Sequence, residues 1–139
     1  MSVRKQNLET IAPILATFSI HQTDGVDDLQ DSDIGSAVEV AGDFEVGPAT
    51  DGSAVMGKLI ALTLTDADTG KRNATVQIGG VMSLPISTTY PEVGDRIVGG
   101  VGGTVKKAPA LTDYDPAGGN LARGVVLAVN GTSSCTMYL

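Results

Sequence analysis

The stretch Gly124-Val-Val-Leu-Ala-Val-Asn-Gly-Thr-Ser-Ser-Cys-Thr-Met-Tyr-Leu139 decides the fold class. Two runs of apolar and β-branched residues flank Asn130-Gly131, the pair best suited to positive φ at both central positions of a two-residue type I′ hairpin. In the second run Cys135, Met137 and Leu139 alternate with Thr136 and Tyr138, the period of a strand with one apolar face.

The same period recurs upstream. Val38 and Val40 alternate with Glu39, and Phe44 and Val46 with Asp43 and Glu45, which predicts two short strands about a turn at Gly42-Asp43. Met56 to Leu64 is almost continuously apolar, as in a strand covered on both faces. Ala74, Val76 and Ile78 alternate with polar residues after the turn-rich Asp66-Ala-Asp-Thr-Gly-Lys-Arg-Asn73, completing a second hairpin. Val81 to Ile86 reads as a further strand, and Ile97 to Val105 folds about Gly102-Gly103. The sum is an all-β chain, a small β barrel of about nine short strands. A weak repeat runs through it: Gly57-Lys-Leu-Ile-Ala-Leu62 matches Gly124-Val-Val-Leu-Ala-Val129, and Val38 to Val46 corresponds to Ile97 to Val105. The second half carries a longer insertion through Thr112 to Asn120.

Residues 1–35 read differently. Leu8, Ile11, Leu15 and Phe18 lie near helical spacing, but Pro13 opposes one continuous helix, so an extended arm with one helical turn is expected. A solvated acidic linker follows, with Asp24, Asp27, Asp28, Asp31 and Asp33 among Gly, Ser and Gln. The division is thus residues 1–35 as arm and linker and residues 36–139 as the barrel. The arm's apolar residues Leu8, Ile11, Ile14, Leu15 and Phe18 are the candidate contact residues, either for a neighbouring subunit or for the chain's own barrel.

Composition limits the chemistry. With 139 residues, 42% apolar and only 4% aromatic, the core must come from Val, Ile, Leu and Ala, and eighteen glycines point to many tight turns. A net charge of −7 opposes phosphate backbones, and the basic pairs Arg4-Lys5, Lys71-Arg72 and Lys106-Lys107 are scattered, so no nucleic-acid partner is expected. The apolar run Ile11 to Ile20 is too short to cross a bilayer, and no membrane partner is expected. Cys135 is the single cysteine, read as a small buried hydrophobe in a reducing compartment.

No catalytic centre, metal site or cofactor is expected. A Ser or Cys nucleophile needs a base, and the one histidine, His21, lies in the arm, far along the chain from Cys135. Asp66 with Asp68 and Asp113 with Asp115 are the candidate carboxylate pairs, but both sit in turns where Asp serves backbone capping. Asp66-Ala-Asp-Thr-Gly70 resembles the start of a calcium loop yet has Gly one place early and no bidentate Glu at the twelfth position. Gly99-Gly-Val-Gly-Gly103 lacks the Lys-Ser/Thr of a P-loop and reads as a turn.

The order of segments carries a resemblance. The Gly-led strand Met56-Gly-Lys-Leu-Ile-Ala-Leu62, the run Val76-Gln-Ile-Gly-Gly-Val-Met-Ser-Leu-Pro85, the Val93-Gly-Asp95 turn and the strand Gly124-Val-Val-Leu-Ala-Val129 resemble the DUF2190 family of small bacteriophage capsid cement proteins, over Ser36 to Leu139. The resemblance implies a structural virion protein on the outside of the phage head, made in the host cytoplasm. It implies the major capsid protein as partner, bridging of its subunits, and self-association, a homotrimer ahead of a dimer. The alternative is a fibre or adhesin-type β domain binding a host surface glycan, with Tyr90, Tyr114 and Tyr138 as the available aromatic platforms.

Overall fold

The computed structural model describes residues 13–110 and 121–139. Among them the only helical element of note is a 3-10 turn, Asp31–Asp33, so the chain is all-β as its periodicity predicts. A closed barrel is formed by β1 (Ile14–Ile20), β4 (Ala37–Gly42), β5 (Glu45–Pro48), β6 (Gly57–Leu62) and β7 (Asn73–Gly79), in the order β1-β5-β4-β6-β7. The short pair β2 (Gln22–Thr23) and β3 (Val26–Asp27) projects from the connection between β1 and β4.

The rest of the chain is not an extension of this barrel. Strand β8 (Val81–Pro85), the hairpin β9 (Ile97–Gly99) and β10 (Val105–Lys107), and the hairpin β11 (Val125–Asn130) and β12 (Ser134–Tyr138) form a second unit. It repeats the first strand by strand. Strand β1 runs antiparallel to β7 with Ala16↔Val76 and Phe18↔Ala74, and β8 runs antiparallel to β12 with Met82↔Met137 and Leu84↔Cys135. The β6–β7 pair skips a residue between Leu59 and Ala61, and the β11–β12 pair skips one at the equivalent place, between Val126 and Ala128. Parallel pairing of β1 with β5 at Ile20↔Val46 recurs as the bridge Ile86↔Val105, and the β4–β6 pairing recurs as the bridge Ile97↔Arg123.

Connections repeat as well. Gly35 N–H donates to the Leu59 carbonyl at 2.8 Å, and Gly94 N–H to that of Val126 at 2.8 Å. His21 N–H donates to the Val46 carbonyl at 3.0 Å, and Ser87 N–H to that of Val105 at 3.0 Å. The weak sequence repeat is therefore a duplicated five-strand unit, and in place of about nine strands in one barrel the described residues hold twelve strands in two halves joined through Gly79-Gly80.

Each half has its own core. Ile20, Leu29, Val38, Val46, Leu59, Ala74 and Val76 fill the first. Met82, Leu84, Ile86, Ile97, Val105, Val126, Cys135 and Met137 fill the second, completed by Ala37, Ala49 and Val55 from the first half. The glycines that head β6 and β11 now have a reason. A Cβ on Gly57 would overlap the Gln77 carbonyl oxygen, and one on Gly124 would lie 2.6 Å from the carbonyl oxygen of Tyr138, the residue equivalent to Gln77.

Two expectations are corrected. Residues 14–20 are not an arm or a helical turn but β1, a staple of the first barrel, so the boundary expected at residue 35 falls inside that unit. Hydrogen bonds to β7 on one side and to β5 on the other satisfy the backbone here, and they come from residues far along the chain. The Asn130-Gly131 turn is also not the two-residue type. Asn130 pairs with Ser134, leaving Gly131-Thr132-Ser133 as the loop, and of the pair only Gly131 has positive φ.

Candidate functional site

The chemistry-bearing residues fall into structural employment. His21 Nδ1 and Asp28 Oδ2 lie 2.7 Å apart across the base of the β2–β3 projection. That hydrogen bond is the main cause that raises the His21 pKa and lowers that of Asp28. Cys135 is buried in the second core, where desolvation pushes its thiol up to about 11. His21 adjoins Ile20 of the first core, so nucleophile and base are held in different halves. Asp66 Oδ1 accepts from the Asp68 amide at 2.7 Å, an Asx turn that caps its own loop. Among the described residues no three His, Cys, Asp or Glu side chains gather at one point. Asp113, Tyr114 and Asp115 lie outside the described residues.

Gly99 and Gly100 sit in a tight approach between hairpin and loop. A Cβ on Gly99 would overlap Ser53 Oγ and the Thr50 carbonyl, and Gly99 N–H donates to the Ser53 carbonyl at 2.7 Å. The glycine run is thus a packing device for joining the halves.

Of the five candidate contact residues, Leu8 and Ile11 lie outside the described residues. Ile14 and Leu15 are 57% and 54% exposed, whereas Phe18 packs against the first core. The register shifts between Ile14 and Leu15, which breaks the strand's alternation and leaves two consecutive apolar side chains outward. Ile14 pairs with Gly79, where a Cβ would come 3.2 Å from Ile14 Cδ1, so the side chain lies over the glycine.

Just beyond Gly79 begins a surface that sequence reading did not single out. Strands β8, β11 and β12 carry no Asp, Glu, Lys or Arg, although the chain as a whole has a formal charge of −7. Their inward positions Met82, Leu84, Val126, Cys135 and Met137 are buried. Outward lie Val125, Leu127 and Tyr138, with Tyr138 57% exposed. Tyr138 pairs with Val125 on one side and with Val81 on the other, which sets Val125 and Tyr138 side by side on one sheet. Lining residues Ala128, Val129, Asn130 and Thr136 form a shallow hollow further along the same two strands. The signal was present in the sequence as charge-free strands in an acidic chain, but it needed the strand pairing to become a face.

The first unit closes its strand order, and in the second the sheets β11-β12-β8 and β10-β9 are linked at their margins by the single bridges Ile86↔Val105 and Ile97↔Arg123. No family model matches the chain, and neither a curated protein nor a solved structure matches it.

Proposed function

We propose that the protein is a capsid decoration protein: a non-enzymatic structural component that binds the outside of a phage head, bridges major capsid protein subunits and stabilises the shell, acting as a homo-oligomer. The observation that carries this reading is the charge-free outward face of β8, β11 and β12, bounded by Ile14 and Leu15 across the Gly79-Gly80 link. An apolar face on an acidic protein suits docking on another protein surface, and the net negative charge repels nucleic acid. The sequence resemblance to the cement family points to the same role. Function then follows from mass action, since copies that bind only the expanded shell lower its free energy, and many weak contacts add through avidity.

The test mixes the purified chain with expanded, undecorated capsids and, separately, with a glycan array. Saturable, symmetric occupancy of shells, reduced at least tenfold in affinity by Leu127→Lys or Leu15→Lys, is the expected result. Glycan binding without shell occupancy would overturn the proposal in favour of a fibre or adhesin-type domain.

A further inference from the structure

The two halves are packed head to tail, and the packing leaves one end of each half unused. In the second half, the tip of the β9–β10 hairpin docks on the first half. Ala37 N–H donates to the Gly103 carbonyl at 2.7 Å, Gly103 N–H donates to the Ala49 carbonyl at 2.9 Å, and Gly52 N–H donates to the Gly99 carbonyl at 2.9 Å. Lys106 Nζ meets Asp51 Oδ1 at 2.7 Å, and the Arg123 guanidinium donates to the Val55 carbonyl at 2.9 Å. Ala37 and Ala49, the ledge that receives this tip, are buried.

The repeat supplies the counterparts. The equivalent tip in the first half is Gly42-Asp43-Phe44, between β4 and β5, and the equivalent ledge in the second half is Arg96 with Ala108. The equivalence is fixed by Ala49 N–H donating to the Ala37 carbonyl at 3.0 Å and Ala108 N–H donating to the Arg96 carbonyl at 2.9 Å. Neither counterpart is covered by the described residues: Phe44 is 83% exposed, Arg96, Pro109 and Ala110 are exposed, and Ala108 is half-buried. A non-reciprocal contact of this kind is heterologous, and such contacts continue from copy to copy until they close a ring or run on as a filament.

Charge marks the two unused ends as complementary. The first hairpin, residues 37–48, carries Glu39, Asp43 and Glu45 and no basic residue. The second, residues 96–107, carries Arg96, Lys106 and Lys107 and no acidic residue; Asp95 just before it lies 3.7 Å from Lys107 Nζ, and Lys106 is already paired with Asp51, so Arg96 and Lys107 are the cations that face outward in excess. Equivalent elements of a duplicated unit have thus taken opposite charge, within a chain of net −7 whose copies would otherwise repel one another. Phe44 sits at φ +55, a backbone region that bulky residues seldom occupy, where the docked tip has Gly103 at φ +80.

We infer that the Gly42–Glu45 tip of one copy docks on the Arg96, Lys107 and Ala108–Ala110 ledge of a second copy, carrying the head-to-tail packing of the halves from one chain to the next. The atomic fit differs from the internal joint. A Cβ at position 103 would stand 3.0 Å from Ser36 Cβ, so Phe44 cannot take the place of Gly103 and lies along Ala108–Ala110, with Asp43 and Glu45 toward Arg96 and Lys107. This assignment concerns the chain alone and does not depend on the capsid reading.

Sedimentation velocity of the full chain from about 1 to 100 μM tests it. Species above the 14.1 kDa monomer are expected, with association weakened roughly tenfold or more when salt rises from about 0.05 to 0.5 M. Arg96→Glu with Lys107→Glu, or Asp43→Lys with Glu45→Lys, each abolishes association while far-UV circular dichroism is retained. Mixing the two charge-reversed proteins pairs each tip with an oppositely charged ledge of the other and restores association, with the two variants alternating. Oxidation of a Phe44→Cys and Ala110→Cys mixture yields a mixed disulfide, whereas either variant alone stays monomeric on a denaturing gel. A chain that remains monomeric throughout, an oligomer indifferent to both charge reversals, or cross-linking of Phe44→Cys to itself would overturn the inference.

Discussion

Replacing Gly57 by alanine tests the duplicated fold at the place where the repeat is tightest. At a permissive site Gly→Ala stabilises by about 0.4–1 kcal/mol, because it removes freedom from the unfolded chain. Gly57 has no positive φ, so backbone conformation alone predicts that gain. The packing predicts the reverse. The new Cβ would overlap the Gln77 carbonyl oxygen and come 2.9 Å from the Gln77 carbonyl carbon, within the pair Lys58↔Gln77. Restoring ordinary contact means moving β7 against β6 by on the order of 1 Å. Overpacking of that kind costs about 1–3 kcal/mol, and a weakened ladder hydrogen bond adds about 1 kcal/mol. Net of the entropic gain, we expect a loss of about 2–3 kcal/mol. Urea unfolding followed by far-UV circular dichroism is the assay, since the chain has no tryptophan. At Gly124, φ +68 and the approach to the Tyr138 carbonyl predict a loss at least as large. Gly57→Ala that unfolds at the wild-type midpoint, or later, would refute the argument that the glycines heading β6 and β11 exist for close strand approach.

Other outcomes follow from the same contacts. Gln77 Nε2 donates to the Gly79 and Val81 carbonyls at 3.1 and 3.2 Å, so Gln77→Leu should destabilise by about 1–3 kcal/mol through two buried carbonyls left without that donor, read in the same urea titration. Met137→Ala, at a fully buried position, should cost about 2–5 kcal/mol. Cys135 should react with iodoacetamide only as fast as the chain opens, because burial raises its pKa and hides the thiol; prompt alkylation of folded protein at pH 8 would contradict this. Phe44→Gly should raise monomer stability by about 0.5–1 kcal/mol, the relief of a left-handed phenylalanine less the entropy of a glycine.

The pH response of the β2–β3 projection has a definite sign. His21 has a raised folded-state pKa, so its contribution is full below its unfolded pKa and is lost as pH rises through the folded value. Asp28 has a lowered one, so its contribution is present above its unfolded pKa and is lost as pH falls through the folded value. Amide exchange of Asp28, whose N–H donates to the His21 carbonyl at 2.9 Å, should therefore be slowest, after correction for intrinsic rates, between those two limits. A protection factor that climbs steadily with pH would rule the pair out as the clasp.

Much of this architecture could be read from alternation. Val38, Ala74 and Val76, and Cys135 and Met137 turn inward as period two requires, whereas Val40, next to the register shift of the β4–β5 pair, is 64% exposed. Strand β1 escaped because its pattern is broken twice, by Pro13 before it and by the shift at Ile14 and Leu15, while its partners Val76 and Val46 lie far along the chain. The run Met56 to Leu64 suggested a strand covered on both faces. Lys58 and Ile60 are only half-buried and Ala61 is exposed, whereas Leu62 packs against the first core, and Leu64 lies past the strand end in solvent. The doubling of the barrel was visible only as the Gly57 and Gly124 motifs. Closure depends on the bridges Ile86↔Val105 and Ile97↔Arg123, which leave almost no local signature. The apolar face was hidden for a related reason, since Val125 and Tyr138 come side by side only when β11 and β12 pair.

Duplication also explains how one short chain can present two different surfaces without a second domain type. In the first half Lys58 on β6 pairs with the buried Gln77 on β7, and β1 presents Leu15, Thr17 and Ser19 outward. In the second half the equivalents of Lys58 and Gln77 are Val125 and Tyr138. Equivalent backbone, held by equivalent hydrogen bonds, thus carries Lys58 and Gln77 in one copy and Val125 and Tyr138 in the other. The hairpins diverge in charge in the same manner, acidic in residues 37–48 and basic in residues 96–107. Each divergence spares the shared pairing and core positions such as Val46 and Val105, or Val76 and Met137, so neither disturbs the fold. Apolar face and charged ends are therefore separable by mutation: Leu127→Lys should abolish shell binding and leave self-association intact, and Arg96→Glu with Lys107→Glu should do the opposite to monovalent binding of the shell. If both variants lost both properties together, the two surfaces would be one, and the separation argued from the repeat would fail.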